Sequence, residues 1–564
     1  VFENYRKTLN ALDTLQQLRL LAISVLNYLR RKKPVHYVQF VLPTTMPALP
    51  EPRNIIRRKL QGDPPLSLVE LEQAFKRIAD DPRPRGVILY LRGLAMSLAD
   101  LQTLRQSILR LKASGKRVVC YSQLYDTATY YVASAADEIL LQPGGVLFTV
   151  GLRQETLFLK DALEPLGVQV EAIAISPYKG ALDNLTRNSI SPEGKEQLEW
   201  LLDSRYDMIV NDIAESRNLT PAKVKKLIDS APYMDDAALK NGLVDGIVNE
   251  EQFPQRLNAK HILHWKQADK VILYTWRDPE DRHVALLKIG GLIIHGESAN
   301  PPVDFPTPII GGERAGDLTV VQQVRKLAED KKTAAVVLFI DSPGGSASAS
   351  EAIASALEEL AKVKPVVAYM NAVAASGGYY VATPAQWIVA QPGTITGSIG
   401  VIIGKPSTEG AFKKLRINRV SFARGANTGM LSDAKPFTAK QKTWLTNSIE
   451  QAYGLFVARV AKGRNMTPQA VDAIGGGRVW TGKQALENGL VDELGDLRAA
   501  LEKARSLAKL PESAPLVIPQ IKGDPIGPKL VEQVNPVASL RYLHDNVRLI
   551  LNGQAQMFMP FSIE

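Results

Sequence analysis

The sequence predicts an α/β fold made of two tandem repeats, each assembled from parallel βαβ units. Three observations carry this. The chain resembles itself at a nearly constant offset. "GVILYLRG" (Gly86 to Gly93) matches "AVVLFIDS" (Ala335 to Ser342), and "TYYVASAADEILLQPGG" (Thr129 to Gly145) matches "GYYVATPAQWIVAQPGT" (Gly378 to Thr394), both 249 residues apart. "NGLVDGI" at Asn241 and "NGLVDEL" at Asn488 lie 247 apart. Short apolar runs such as "VVLFI" suit strands covered on both faces. These runs alternate with helical patterns, the order expected of parallel strands joined by crossovers.

Each segment follows from its own pattern. Residues 1–34 form an N-terminal arm. Within it, Leu15, Leu18, Ala22, Val25 and Leu29 recur at helical spacing, interrupted by Arg19 and Asn27. No run reaches the eighteen apolar residues expected of a spanning helix. With "RRKKP" (Arg30 to Pro34) behind it, the stretch reads as an amphipathic helix that lies on a bilayer or packs against protein. Membrane attachment is therefore expected to be peripheral, or through an anchor preceding Val1. Residues 35–252 form the first repeat, opening on "YVQFVLP" from Tyr37, and 253–283 read as a linker. The second repeat, 284–510, opens on "VALLKIGGLII" and continues through the helix "SEAIASALEELAKV" and the strand "PVVAYM". The tail, 511–564, is rich in proline and glycine, with "SLRYLHDNVRLIL" as a closing helix.

Composition narrows the function. A net charge of +10 favours anionic surfaces, with basic clusters at "RRKKP" and "NIIRRK" (Asn54 to Lys59). Neither a nucleic-acid module nor basic residues interleaved with aromatics are present, so a membrane surface is the expected partner and nucleic acid is not. The single cysteine, Cys120, excludes an intrachain disulfide and a multi-cysteine metal site. It sits in the apolar run "KRVVCYSQ" and is expected to be buried. "GRVWTGKQ" (Gly477 to Gln484) is a near miss for a phosphate loop, since Gln484 stands where Ser or Thr is needed. No metal or cofactor is expected.

Setting the repeats in register shows where they diverge. Ser376, in "AASGGYY", falls opposite Thr127, and Ser398, in "TGSIGV", falls opposite Thr149. "SPGGS" (Ser342 to Ser346) falls opposite "GLAMS", which lacks the glycine pair. Only the second repeat keeps a Gly-Gly turn where backbone N–H groups can converge on an oxygen. Conversely, "SPYKGALDN" of the first repeat carries Lys179, and the matching "GANTGMLSDA" has no lysine. One repeat offers a nucleophile and an oxyanion site, the other an amine.

A serine hydroxyl needs a base to become nucleophilic. The six histidines lie at domain edges or in linker-like sequence, and none lies between His295 and His544, so a lysine is the expected base. A lysine can serve if it is neutral, which requires its pKa to fall from about 10.4 to roughly 7–8. Burial supplies this by disfavouring the ammonium. A hydroxyl such as that of Ser398 can hold the amine without adding charge. Candidate oxyanion donors are the N–H groups of Gly345 and Gly377.

"SPGGS", "AASGGYY", "TGSIGV", "YKGA" and the paired "NGLVD" closings together resemble the signal peptide peptidase A family, the long duplicated type of the S49 serine peptidases. The resemblance covers both repeats. It implies a ClpP/crotonase-like fold and a Ser/Lys dyad. It maps the nucleophile to Ser376, the general base to Lys179, the lysine-positioning serine to Ser398 and the oxyanion donors to Gly345 and Gly377. It also implies a homotetramer around an apolar bowl that degrades cleaved signal peptides at a bacterial or plastid membrane. Two rival readings stay open at this point: a crotonase-like acyl-CoA enzyme, and a catalytically dead membrane scaffold or chaperone. Singly, each residue has a bland alternative. Ser376 could be a helix cap, Lys179 a solvated lysine, Ser398 a turn residue. "SPYK" also matches the Ser-x-x-Lys pattern, as does "SLAK" at Ser506.

Overall fold

The structure is a computed structural model that describes residues 14–51, 62–175, 177–275, 281–299, 313–518 and 556–558. The chain divides into two compact units. One comprises Val1–Leu152 and Asp207–Pro279, the other Arg153–Tyr206 and Glu280–Glu564. The division does not follow the repeats: residues 153–206, first-repeat sequence, pack within the second unit.

In the first unit α1 (Thr14–Arg31) precedes β1 (Tyr37–Leu42), β2 (Gly86–Leu91), β3 (Arg117–Asp126) and β4 (Glu138–Phe148). The four strands are parallel neighbours in that order. Every residue of β2, "GVILYL", is buried, as a strand covered on both faces requires. The crossovers are α2 (Leu68–Asp80) and α3 (Leu98–Ala113). Each starts at a serine, Ser67 or Ser97, whose hydroxyl accepts the N–H three residues on. Cys120 is fully buried, and burial pushes its thiol up to about 12. The segment read as a linker is more ordered than its composition suggested: Ile262–His264 pairs in parallel with β1 and extends this sheet. Asn27, which interrupts the apolar pattern of α1, helps to dock the helix together with Arg30, which donates to Ile272 O and lies over the Tyr274 ring. The Asn27 amide exchanges two hydrogen bonds with the backbone of Tyr274, at 2.8 and 2.9 Å. Leu21, Val25, Leu26, Tyr28 and Leu29 stay exposed.

In the second unit β5 (Gln169–Ala174) comes from the first repeat. There follow β6 (His283–Gly290), β7 (Leu292–Ile294), β8 (Thr333–Ser342), β9 (Gly344–Ser346), β10 (Val366–Ala375), β11 (Ile395–Gly397), β12 (Ile402–Ser407) and β13 (Gln556–Phe558). One sheet runs β11-β10-β8-β6 in parallel. A second runs Arg314–Gly316, β7, β9, β13, β12, β5. Helix α5 (Ala347–Val363) buries Ile353, Ala354, Leu357 and Leu360 in a core shared with Val336, Leu338 and Ile340 of β8. The expected helix at "SLRYLHDNVRLIL" and the basic cluster at Asn54 lie outside the described residues.

Candidate active site

Ser376 stands between the end of β10 and a short helix, α6 (Gly377–Ala382). Its backbone is at φ 55°, ψ −117°, a region that a residue with a Cβ avoids, and its hydroxyl does not cap the helix. Such strain costs on the order of 1–3 kcal/mol and persists only where surrounding structure over-determines it. Here the Ser376 N–H donates to Gly397 O at 2.8 Å, and its carbonyl accepts from the Tyr380 N–H at 2.9 Å. Gly378 is pressed against Ser342, where an added Cβ would lie 2.5 Å from a carbonyl oxygen. The first repeat behaves differently at the same register. Helix α4 (Thr127–Ala133) is capped by Asp126 in ordinary extended geometry, and Thr127 Oγ1 donates to Gly151 O at 3.2 Å. The serine turn is thus sharp and uncapped where the threonine turn is relaxed.

Lys179 reaches Ser376 within the second unit. β5 pairs antiparallel with β12 over six residues, Gln169↔Ser407 through Ala174↔Ile402. The chain leaving β5 is pinned by Ile175 N–H to Val401 O (2.9 Å) and Tyr178 N–H to Gly476 O (3.1 Å). Trp200, from the helix Pro192–Arg217, stacks on Trp480 with ring centroids 5.0 Å apart and holds the same segment in place. Lys179 Nζ then lies 2.7 Å from Ser376 Oγ, 2.8 Å from Ser398 Oγ and 2.9 Å from Ser398 O. Lys179 is 2% exposed, and both serines are fully buried. Burial alone pushes the Lys179 amine well below the ordinary lysine range. These partners suit a neutral amine. Two N–H groups serve the two oxygens of Ser398, and the lone pair is left for the Ser376 proton.

A second buried lysine shows the contrast. Lys405 Nζ donates to two main-chain carbonyls, Met430 O at 2.8 Å and Ser432 O at 2.9 Å, and lies over the Phe437 ring. It has no hydroxyl to deprotonate among these partners, and its place is structural.

Ser398 is set by its own strained backbone, φ 51°, with its N–H donating to Arg478 O at 2.6 Å. Gly345 (φ 151°) sits mid-β9, where a Cβ would meet Ile293 O at 2.1 Å. A Cβ on Gly377 would approach Gly345 N to 3.2 Å, so the two expected oxyanion donors are neighbours. Ser342 braces the turn between them: its hydroxyl donates to Gly291 O at 2.6 Å and accepts the Gly344 N–H at 3.2 Å. All five residues singled out in the sequence therefore meet in one place. Beside them β13 lies antiparallel to β9, with Gly345 opposite Met557, and pairs with β12 at Ile402↔Gln556. The gap between β9 and β12 accepts an extended chain.

Sequence reasoning missed three contributors. Gly477, at φ +88°, packs so tightly on Lys179 that no side chain fits; the run Gly475–Gly477 was its only signal. The Trp200–Trp480 stack joins residues 280 apart in sequence, beyond any local pattern. His295, set aside as linker-like, is hydrogen-bonded to Ser346 of β9. The phosphate-loop near miss resolves into a helix cap, since Thr481 and Gln484 form a capping box. Ser176 of the Ser-x-x-Lys alternative lies outside the described residues.

Comparison with known proteins gives the family. The family described as Peptidase family S49 matches twice, over residues 110–263 and 358–511. The chain is 33% identical over 472 residues to Protease 4 of Haemophilus influenzae, covering 78% of this chain and 73% of that protein. It is 31% identical over 457 residues to Serine protease SPPA, chloroplastic, of Arabidopsis thaliana, covering 79% of this chain and 66% of that protein. A ClpP1 mutant from Listeria monocytogenes is similar at 14% identity and a TM-score of 0.25, over 38% of this chain and 94% of that one. A duplicated α/β chain with two family matches and relatives that align across both repeats belongs to peptidase family S49 and is a serine peptidase.

Proposed function

We propose that the chain is an endopeptidase that uses Ser376 as nucleophile and Lys179 as general base to degrade apolar peptides, cleaved signal peptides among them, at a membrane surface. The observation that carries this is the 2.7 Å approach of a fully buried serine hydroxyl to a buried lysine amine that no carboxylate accompanies. The neutral amine takes the Ser376 proton as Oγ attacks the scissile carbonyl carbon. The N–H groups of Gly345 and Gly377 receive the oxyanion, each such donor being worth ~3–4 kcal/mol. Lys179 then returns the proton to the leaving amine, and water repeats the cycle on the ester. Ser398 keeps the amine aimed and adds no charge that would stabilise the ammonium. A peptide enters as an extended strand between β9 and β12, the place that Gln556–Phe558 takes.

The membrane role rests on α1. Its exposed Leu21, Val25, Leu26 and Leu29, followed by Arg31, Lys32 and Lys33, give the apolar and basic faces of an interfacial helix. No helix among the described residues is long and apolar enough to cross a bilayer. A homo-oligomer, a tetramer by resemblance, accounts for the exposed run holding Leu415, Val420 and Phe422.

The test is mass-spectrometric mapping of cuts in synthetic signal peptides by the intact protein, Ser376→Ala and Lys179→Met. Cuts within apolar cores by the intact protein alone are expected. Cleavage that persists in either variant defeats the dyad, and cleavage confined to polar peptides defeats the substrate class.

A further inference from the structure

His295 lies outside the serine–lysine pair yet is bonded to the strand that carries Gly345. It is the residue after β7, and β7 pairs with β9 at Ile293↔Gly345 and with Arg314–Gly316 on its other side. This delivers the ring to a point between the end of β9 and the start of the helix Asp317–Glu329. Nδ1 lies 3.0 Å from Asp317 Oδ2, while Nε2 lies 3.0 Å from Ser346 Oγ and 2.8 Å from Ser348 Oγ. Asp317 is fixed in turn, because its Oδ1 accepts the N–H groups of Gly296 and Leu318, both at 2.8 Å. Partial burial raises this carboxyl, but the Gly296 N–H, the His295 ring and the Leu318 N–H outweigh it and hold it below the usual range. A carboxylate on Nδ1 selects the Nδ1–H tautomer, so the one lone pair of Nε2 is shared by the O–H groups of Ser348 and Ser346, whose oxygens lie 3.3 Å apart. Ser346 Oγ then donates to His295 and accepts the Ala349 N–H (3.3 Å) as the cap of α5.

The residues before Ser346 are Gly344 (φ 108°) and Gly345 (φ 151°), whose backbones have the widest conformational freedom of any residue. Freedom suits the tight approach to Ile293 but leaves the direction of the Gly345 N–H to its neighbours. Ser342 anchors the turn on one side. We propose that His295, oriented by Asp317, is a positioning residue that anchors the other side through Ser346 and so aims the Gly345 N–H at the developing oxyanion. The proposal rests on the dyad reading above.

A group that aims an oxyanion donor acts on the transition state and leaves ground-state binding alone. His295→Ala is therefore expected to lower kcat by about 10- to 100-fold, the scale of a misplacement near 1 Å, with KM within about twofold. Affinity for a peptidyl boronate, which places an anionic oxygen in the same pocket, falls by the same factor. Binding of the uncleaved peptide to Ser376→Ala falls by a much smaller factor than boronate affinity when His295→Ala is added, since only its pairing with β9 is touched. His295→Gln, whose amide oxygen can accept the Ser346 proton, restores part of the loss. If His295→Ala does not fold, Asp317→Asn tests the same chain, with a smaller loss of kcat and boronate affinity expected. Unchanged kcat in a folded variant overturns the proposal. So does a loss shared equally by boronate and uncleaved peptide, which marks a merely structural residue. Ser348, His295 and Asp317 also stand in the order of a nucleophile, base and carboxylate. Residual hydrolysis by Ser376→Ala that His295→Ala removes would assign His295 to that second centre and overturn the positioning role. Full activity of Ser376→Ala with His295 irrelevant defeats the dyad itself. A dead Ser376→Ala beside a fully active His295→Ala defeats only this proposal.

Discussion

Gly477→Ala separates the base from the rest of the catalytic machinery. Gly477 sits at φ +88°, and a Cβ there would lie 2.4 Å from Lys179 N, 2.6 Å from its Cα and 2.7 Å from its Cβ. None of these is the far end of a flexible side chain. Ordinary contact begins near 3.4 Å, so the Lys179 backbone or the glycine loop must yield by about 1 Å. Lys179 has no slack for such a shift. Its Nζ is 2.7 Å from Ser376 Oγ, and the same displacement carries the pair beyond hydrogen-bonding range. A misplacement of ~1 Å commonly lowers rate by about 100-fold, or about 2.7 kcal/mol of barrier. The three atoms nearest the new methyl all belong to Lys179 and none to Ser376, Gly345 or Gly377, so boronate affinity is expected to fall far less than kcat. Alanine at positive φ also strains the fold by about 1 kcal/mol or more, read as a lower Tm. Steady-state kinetics on a quenched apolar peptide, boronate inhibition and thermal unfolding on one preparation give all three quantities. A folded Gly477→Ala enzyme with kcat within about threefold of the parent would refute the claim that amine placement limits turnover.

Further predictions concern the amine, its holder and the strand slot. Activity requires the neutral amine, so kcat/KM rises with pH, and burial places this limb below the range of an exposed lysine; a limb that survives in Lys179→Met belongs to another group. Because burial lowers the folded-state pKa, Lys179 penalises the fold fully below that pKa, and the penalty fades as pH climbs toward the unfolded value. Lys179→Met, though inactive, is therefore expected to raise Tm at neutral pH, with the gain shrinking at alkaline pH; a lowered Tm across the range contradicts this. Ser398→Ala removes an oxygen 2.8 Å from Nζ, and that oxygen helps the ammonium more than the amine. The variant should lose about 10-fold or more in kcat while its pH limb moves to lower pH; an upward move rejects the assignment. Met557→Pro removes an N–H and blocks strand pairing opposite Gly345. If Gln556–Phe558 competes with substrate, KM falls and kcat holds, whereas a raised KM shows that the segment helps form the slot.

Much of this was legible in the sequence because duplication supplied an internal comparison. A conserved offset exposed the two repeats, and the departures from it, Ser376 against Thr127 and the Gly344–Gly345 pair against Ala95–Met96, marked the site. The strands were readable because "GVILYL" and "AVVLFI" are buried throughout and leave no polar position to blur the pattern. Chain segments that change partners were not readable. No local property of residues 153–206 says that they pack in the second unit, since β5 is held there by cross-strand pairing with β12, more than 200 residues away. The hydrogen bonds of His295 were not readable for a related reason. Its neighbours in sequence look like a loop, and its contacts come from Asp317 and Ser346, which parallel pairing alone brings to it.

The two repeats also set two different turns on the same scaffold, one at Ser376 and the other at Thr127. Both place a short helix after a buried parallel strand. In the first repeat the turn satisfies itself: Asp126 Oδ1 takes the Thr129 N–H at 2.7 Å, and the Thr127 hydroxyl is spent on Gly151 O. In the second, no side chain caps α6, and Ser376 is held at φ 55° by Gly397 O and the packing of Gly378 on Ser342. The hydroxyl is thereby left to a single amine brought from the other repeat's sequence. A relaxed, capped turn is the more stable local choice, so the strained one persists only because β11 and the Ser342–Gly344 turn enforce it together. Ala375 stands where Asp126 does, so a loosened turn has no side chain to cap it. The nucleophile and the oxyanion site share these restraints and should fail together when Ser342 is lost, whereas Gly477→Ala moves the base alone.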